Sequence, residues 1–234
     1  VISIFMLFTI LCVLTLSLLP TFLDKSMNPV SDHSAYLVSK KAQEMHKSLI
    51  VGDWHADSAL WNRDLKKTYD YGHVDIPRLQ KGNVALQMFT TVTKSPAGQN
   101  YEKNNSDSRD NITALAIVQR WPIKTWFSLY ERALYQSNKI ISLAERDPEN
   151  FMLIKSQNDL DIFLLKRKSK PRLVGGLIGT EGSHALDGSI DNIENLYKNG
   201  FRMMSLQHFF DNKLGGSLHG TSGEGLTEFG IKAI

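Results

Sequence analysis

Five short apolar runs separated by helical patterns constrain this chain more than any other feature. They centre on residues 49–54 (LIVGDW), 82–89 (GNVALQMF), 151–154 (FMLI), 172–179 (RLVGGLIG) and 201–208 (FRMMSLQH). Apolar residues recur at helical spacing over 35–47, 112–146 and 158–168, and SIDNIENLYKNG forms a further helical pattern that stops at Gly200. Strands alternating with helices predict an α/β protein with parallel strands, since each parallel pair needs a long crossover. Pro122 is expected to interrupt the 112–146 region, Asn158 or Asp159 to cap the helix after 157, and Gly200 to occupy the C′ position.

The strands end in residues able to do chemistry. DWHAD at 53–57 places Asp53, His55 and Asp57 at every second position, on one face of an extended chain, after a run in which Leu49, Ile50 and Val51 are expected to be buried. Glu181 follows GGLIG, and His208 closes MMSLQ. A single His-x-Asp is commonly just a strand entering a polar turn. Parallel α/β folds, however, build active sites at the carboxyl ends of strands. Three strand ends supplying His, Asp, Glu and His point to a zinc-hydrolase site. The single cysteine, Cys12, excludes a disulfide framework and a thiolate site. Any metal must then be held by imidazole and carboxylate, a donor set suited to zinc and other borderline divalent ions.

Over 234 residues the formal net charge is only +3, and no basic cluster is interleaved with aromatics, which argues against a nucleic-acid partner. The densest basic run, KRKSKPR at 166–172, reads as a solvated loop. Residues 1–23 carry no charge at all. As a helix they would extend roughly 30 Å, enough to cross a bilayer. No small-x-small cleavage site follows, and no small residue precedes Cys12 as a lipoprotein signal requires, so this segment reads as an uncleaved anchor or signal. Residues 24–34 (DKSMNPVSDHS) read as a polar linker and 35–234 as the catalytic part, expected outside the cytoplasm, in the periplasm or extracellular space.

Several spaced motifs together resemble the membrane (renal) dipeptidase family, zinc peptidases related to the amidohydrolases. DWHAD is similar to the family's Asp-x-His-x-Asp on the first strand. GHVDIPRLQKGNVALQMF resembles the segment leading into its second strand. GLIGTEGSHALDGSIDNIENLYKNGFRMMSLQH matches its Glu-Gly-x-His, helix, Gly-x-Arg and strand-end His in order and spacing, and GLTEFG at 225–230 resembles the stretch before its next helix. The resemblance implies a metal-dependent-hydrolase (β/α)8 barrel of the TIM type, a dipeptide substrate and two zinc ions. It implies that His55 and Asp57 bind one zinc, that Glu181 bridges it to the second, and that His208 lies beside the substrate carbonyl and stabilises the tetrahedral intermediate. It further implies that two more histidine ligands, a substrate-binding Arg and a proton-transferring Asp lie beyond Ile234. The chain is therefore expected to cover the N-terminal half of the barrel, to be inactive alone, and to admit a homodimer in its complete form. Two alternatives stay open: a bimetal amidohydrolase acting on N-acyl amino acids or lactams, and a non-catalytic membrane-tethered barrel.

Among the remaining residues, His184 and Asp53 are expected to support the ligands by hydrogen bonding rather than bind metal. Asn212 is a candidate substrate contact. The glycine-rich stretch KLGGSLHGTSGEG at 213–225 lacks a phosphate-loop ending and reads as a flexible loop over the site, with His219 exposed. His33, His46 and His73 have no partner at ligand spacing. Trp121, Trp126 and Phe127 read as core, and Asn104 and Asn111 head glycosylation sequons.

Overall fold

The computed structural model describes Met6 and residues 17–234. Five strands form one parallel sheet: β1 (Val51–Ala56), β2 (Val84–Val92), β3 (Phe151–Leu153), β4 (Val174–Glu181) and β5 (Phe201–Met204). The helices are α1 (Lys40–Ser48), α2 (Ile76–Lys81), α3 (Asn111–Val118), α4 (Lys124–Phe127), α5 (Leu129–Arg146), α6 (Gln157–Ser169), α7 (Asp191–Lys198) and α8 (Glu228–Ala233). The expected α/β architecture is thus present.

Strand β4 is the hub. Strand β2 pairs with it from Leu86↔Gly175 to Val92↔Glu181, with β1 beyond β2. The other edge is shared: β3 pairs with the first half of β4 (Phe151↔Val174) and β5 with the second half (Ile178↔Phe201). Gly176 makes the crowded start of β4 feasible. A Cβ there would lie 2.1 Å from the Phe151 ring, which packs edge-on against Phe89 with centroids 5.8 Å apart. Ile140 and Leu143 of α5 join Phe89, Phe151, Val174 and Ile178 in the main core.

Local chemistry explains most element boundaries. Asp75 accepts from Arg78 N and opens α2, with Pro77 in its first turn. Pro122 lies between α3 and α4, and Ser128, the N-cap of α5, separates α4 from α5, so the 112–146 region holds three helices. Helix α7 ends at Lys198, and Gly200 then takes a left-handed conformation (φ +95°), as a helix exit requires.

Other expectations are corrected. Helix α6 is capped by Ser156, whose hydroxyl accepts from Asp159 N at 3.1 Å, so neither Asn158 nor Asp159 is the cap. Lys166–Ser169 belong to the last turn of α6 rather than to a loop, and Arg167 donates to the Leu173 carbonyl. Leu49 and Ile50 are exposed, so β1 does not bury the run that precedes Asp53, His55 and Asp57. Helix α1 starts only at Lys40, capped by Ser39, and none of its residues is buried. Phe127 is 84% exposed, whereas Trp121 is buried as expected.

The apolar stretch expected to anchor the chain lies largely outside the described residues. Among the described residues no helix is long and apolar enough to cross a membrane. Residues 17–27 are helical, and this helix does not end in a free linker. Asp24 is buried and forms an ion pair with Arg63 Nε at 3.0 Å, while the Asn28 carbonyl accepts from Gly72 N at 2.8 Å. Burial pushes the Asp24 carboxyl above its usual range against the opposing pull of Arg63.

Candidate metal centre

Three of the expected ligands converge. Ligand atoms of His55, Asp57 and Glu181 all lie within 4.8 Å of one another. His55 is the penultimate residue of β1, Asp57 follows that strand, and Glu181 is the last residue of β4, so the cluster sits at the carboxyl edge of the sheet. His55 Nε2 lies 3.3 Å from Asp57 Oδ2 and 3.2 Å from Glu181 Oε1. His208, beyond β5, approaches from the far side, with Nε2 3.0 Å from the same Glu181 oxygen.

The hydrogen bond that His55 donates to the Asp57 carboxylate raises the imidazole to about 9; partial burial opposes the shift, while the charges of Asp57, Glu181 and Asp53 reinforce it. The two carboxylates therefore create a field that demands positive charge between them. One imidazole and two carboxylates fit a zinc-like divalent ion in both donor type and reach.

Neighbouring residues hold these groups in place. Asp53 Oδ1 accepts from the backbone N of His55 at 3.1 Å, so Asp53 acts on the backbone of a cluster residue. Thr90, fully buried on β2, donates to Asp57 Oδ1 at 2.5 Å. The sequence reading missed Thr90. Its signal was its place near the carboxyl end of β2, the strand hydrogen-bonded to both β1 and β4. The turn after Glu181 needs Gly182, at φ +74°; a Cβ there would meet His184 Nε2 at 2.6 Å and His208 Cβ at 3.1 Å. Ser205 Oγ accepts from Gly182 N at 2.6 Å and Ser183 Oγ donates to the Ser205 carbonyl at 2.7 Å, tying this turn to β5. Asp187 completes the support by accepting from Ser128 Oγ (2.7 Å) and Leu129 N (3.1 Å) at the start of α5.

His184 lies outside the cluster. It is buried, stacked on Phe210 with centroids 4.3 Å apart, and its Nδ1 faces Asn212 Nδ2 at 3.2 Å. Burial, then the nearby His208 and Lys94 charges, push its imidazole down to about 3, so it stays neutral. The Asn212 side chain is occupied by the fold: its amide donates to Leu206 O at 2.7 Å, and its oxygen accepts from Leu214 N at 2.8 Å.

The glycine-rich loop is organised rather than loose. Asp211 accepts from the backbone N of Ser217, Thr221 and Ser222 at 2.8–2.9 Å. Within that loop His219 is half-buried: it stacks on Phe209 and its Nδ1 lies 2.8 Å from Tyr101 O. His33, His46 and His73 are exposed and do not belong to the group formed by His55, Asp57 and Glu181. Asn104 is buried, with its amide donating to three carbonyls, those of Asn100, Phe209 and His219, so its sequon is closed in the folded state.

Residues 39–234 match the model of the membrane dipeptidase family, peptidase family M19. The chain belongs to that family. Among solved structures, it resembles a metallopeptidase of family M19 called dipeptidase AC (TM-score 0.52, 18% identity, 79% of this chain and 52% of that one). It also resembles the probable dipeptidase PvdM from Pseudomonas aeruginosa (TM-score 0.56, 12% identity, 83% and 45%). A third is a metallopeptidase from Rhodobacter sphaeroides bound to a phosphinate mimic of the dipeptide L-Ala-D-Ala (TM-score 0.50, 16% identity, 79% and 54%). At these identities the likeness concerns the fold. The chain spans about half the length of the structures it matches.

Proposed function

We propose that this chain carries the first half of a zinc-dependent dipeptidase site, on a (β/α)8-type barrel, with His55 and Asp57 holding one zinc ion and Glu181 bridging it to a second. The observation that supports this most directly is the convergence of His55, Asp57 and Glu181 at the strand ends. Bound there, zinc would act as a Lewis acid and make water nucleophilic near neutral pH.

The protein groups have separable tasks. Asp57 and Glu181 supply negative charge that offsets the bound cations. Asp53 and Thr90 fix the His55 backbone and the Asp57 carboxylate, so the donors are oriented before any ion arrives. His208 turns Nε2 toward the Glu181 carboxylate from the segment that follows β5. That position at the cluster supports a role for His208 as donor to the oxyanion that develops as a peptide carbonyl becomes tetrahedral, the moment at which such a donor contributes most. The uncharged stretch ahead of Leu23 is the sequence feature that supports a membrane anchor, which would put this site on the extracytoplasmic side.

The test is metal content and dipeptide hydrolysis in the full gene product, before and after chelation and zinc restoration. Zinc bound in stoichiometric amount, with hydrolysis that returns on restoration, is the expected outcome. Absence of hydrolysis from protein with its zinc restored would refute the dipeptidase reading.

A further inference from the structure

The metal-site residues open onto a cavity of about 590 Å³ whose walls are otherwise largely apolar. Asp57, Glu181 and His208 form its polar end. Trp61 lines it beyond β1, Leu115 and Val118 line it from α3, and Leu23 and Met27 line it from the N-terminal helix. Two features of these walls favour an apolar occupant.

The first is helix α3, NITALAIV, which is apolar nearly all round. Such a helix is normally covered on every side. Here only Ile112 and Ala116 are buried, and Leu115 and Val118 remain partly open toward the cavity.

The second is the way the N-terminal helix is fixed. The Asp24–Arg63 pair is almost completely buried, Asn28 Nδ2 donates to Asp24 Oδ1 at 2.9 Å, and Pro29 bridges Tyr71 in an isolated antiparallel contact. A buried ion pair is costly to misplace, so it specifies one docking position. Leu23 and Met27, four residues apart, then share the helix face turned to the cavity.

We infer that Leu23 and Met27, with Trp61, Leu115 and Val118, form a subsite for a bulky aliphatic or aromatic side chain of the dipeptide, making the segment before the catalytic domain a determinant of specificity. This inference rests on the dipeptidase reading. A cavity of several hundred Å³ with apolar walls and a few convergent polar groups suits a small amphiphilic ligand. Its continuity with Glu181 and His208 identifies that ligand as the substrate whose peptide bond lies at the polar end.

The experiment measures kcat/KM for Gly-Gly, Leu-Gly, Gly-Leu and Phe-Gly with the zinc-loaded full gene product. It also measures, by calorimetry, the affinity of phosphinate dipeptide mimics carrying glycyl or leucyl side chains. At least one Leu or Phe substrate should exceed Gly-Gly by roughly tenfold or more, since burying a large apolar side chain is worth at least that. The leucyl mimic should bind tighter than the glycyl mimic by a similar factor. Met27→Ser and Leu23→Ser should each lower the leucyl-over-glycyl ratio by roughly three- to tenfold, with zinc content unchanged. Equal affinity of the two mimics overturns the subsite, whether or not any dipeptide is cleaved. So does a ratio that neither variant alters. Tight leucyl-mimic binding without turnover would instead keep the subsite and reject the dipeptidase reading.

Discussion

The cluster at the strand ends and the clamp around Arg132 both gather charge at the edge of the same fold, in opposite ways. Arg132 is 2% exposed, and its donors meet Thr125 O, Thr93 O, the Asp110 carboxylate, Thr113 Oγ1 and Trp126 O. Burial pushes the Asp110 carboxyl up, but the Ser95 N–H and the Arg132 guanidinium outweigh it and hold the group below its usual range. Charge there is balanced by protein, and the result is a brace joining α3, α4 and α5 to the end of β2. At the strand ends, carboxylates and imidazoles face one another, and the buried Nδ1 of His208 has no protein partner. Charge balanced internally marks architecture, whereas like donors converging around a shared point mark a place for a cation.

The contrast breaks most visibly at Glu181. Glu181→Gln keeps size and removes charge, so metal content should fall and hydrolysis should drop by roughly three orders of magnitude or more. The melting temperature of the metal-free protein should not fall, because the residue is no part of the core. A variant that kept full zinc occupancy would show that Glu181 is not a ligand. His208→Ala should part from it, retaining zinc while kcat falls by roughly 10²–10³, the usual cost of one oxyanion donor. Equal metal loss in the two variants would make His208 a ligand and erase their separation.

At the brace the effect should be on stability. Arg132→Met leaves Asp110 without its cation and should cost about 3–5 kcal/mol in denaturant unfolding. Asp110→Asn should cost less and should also change the acid dependence. Because the folded-state pKa of Asp110 is depressed, its stabilisation is present above the ordinary carboxylate pKa and is lost as pH falls through the lowered value. Unfolding free energies measured from neutral pH downward should thus decline less steeply in Asp110→Asn. An unchanged slope would mean that Asp110 is not the group responsible.

How much of this was legible in the sequence follows from the range of the interactions. The strands and their chemically able ends were readable because alternation and apolar runs are local signals, and His55, Asp57 and Glu181 sit where those signals stop. The cap of α6 was misplaced because Ser156 lies outside the apolar period used to find the helix. The docking of residues 24–29 was invisible for a different reason. A stretch rich in polar residues reads as a linker, and nothing near Asp24 announces that its partner is Arg63 across the fold. Phe127 was misjudged because spacing alone does not say which face of a four-residue helix meets the core. Thr90 was passed over as an ordinary strand residue, since only pairing with both neighbours reveals what its hydroxyl reaches.

Thr90 also provides the smallest and most discriminating test. Its side chain is fully buried, and its hydroxyl donates to Asp57 Oδ1 at 2.5 Å from a strand that contributes no residue to the metal cluster. Thr90→Val preserves the β-branched shape that β2 needs and deletes only that donor. If Asp57 is a ligand, its outer oxygen loses the contact that sets the carboxylate plane, and zinc affinity should weaken by roughly ten- to a hundredfold, read by competition with a chelating dye. Stability of the metal-free protein should shift by about 1 kcal/mol or less, since the exchange is close to isosteric. With saturating zinc, kcat should recover, because the hydroxyl orients a donor and does not itself reach the substrate. A variant with wild-type zinc affinity would show that the strands alone place Asp57. The contrast with the Arg132 brace would then rest on charge alone, without the preorganisation attributed here to the neighbours of the site.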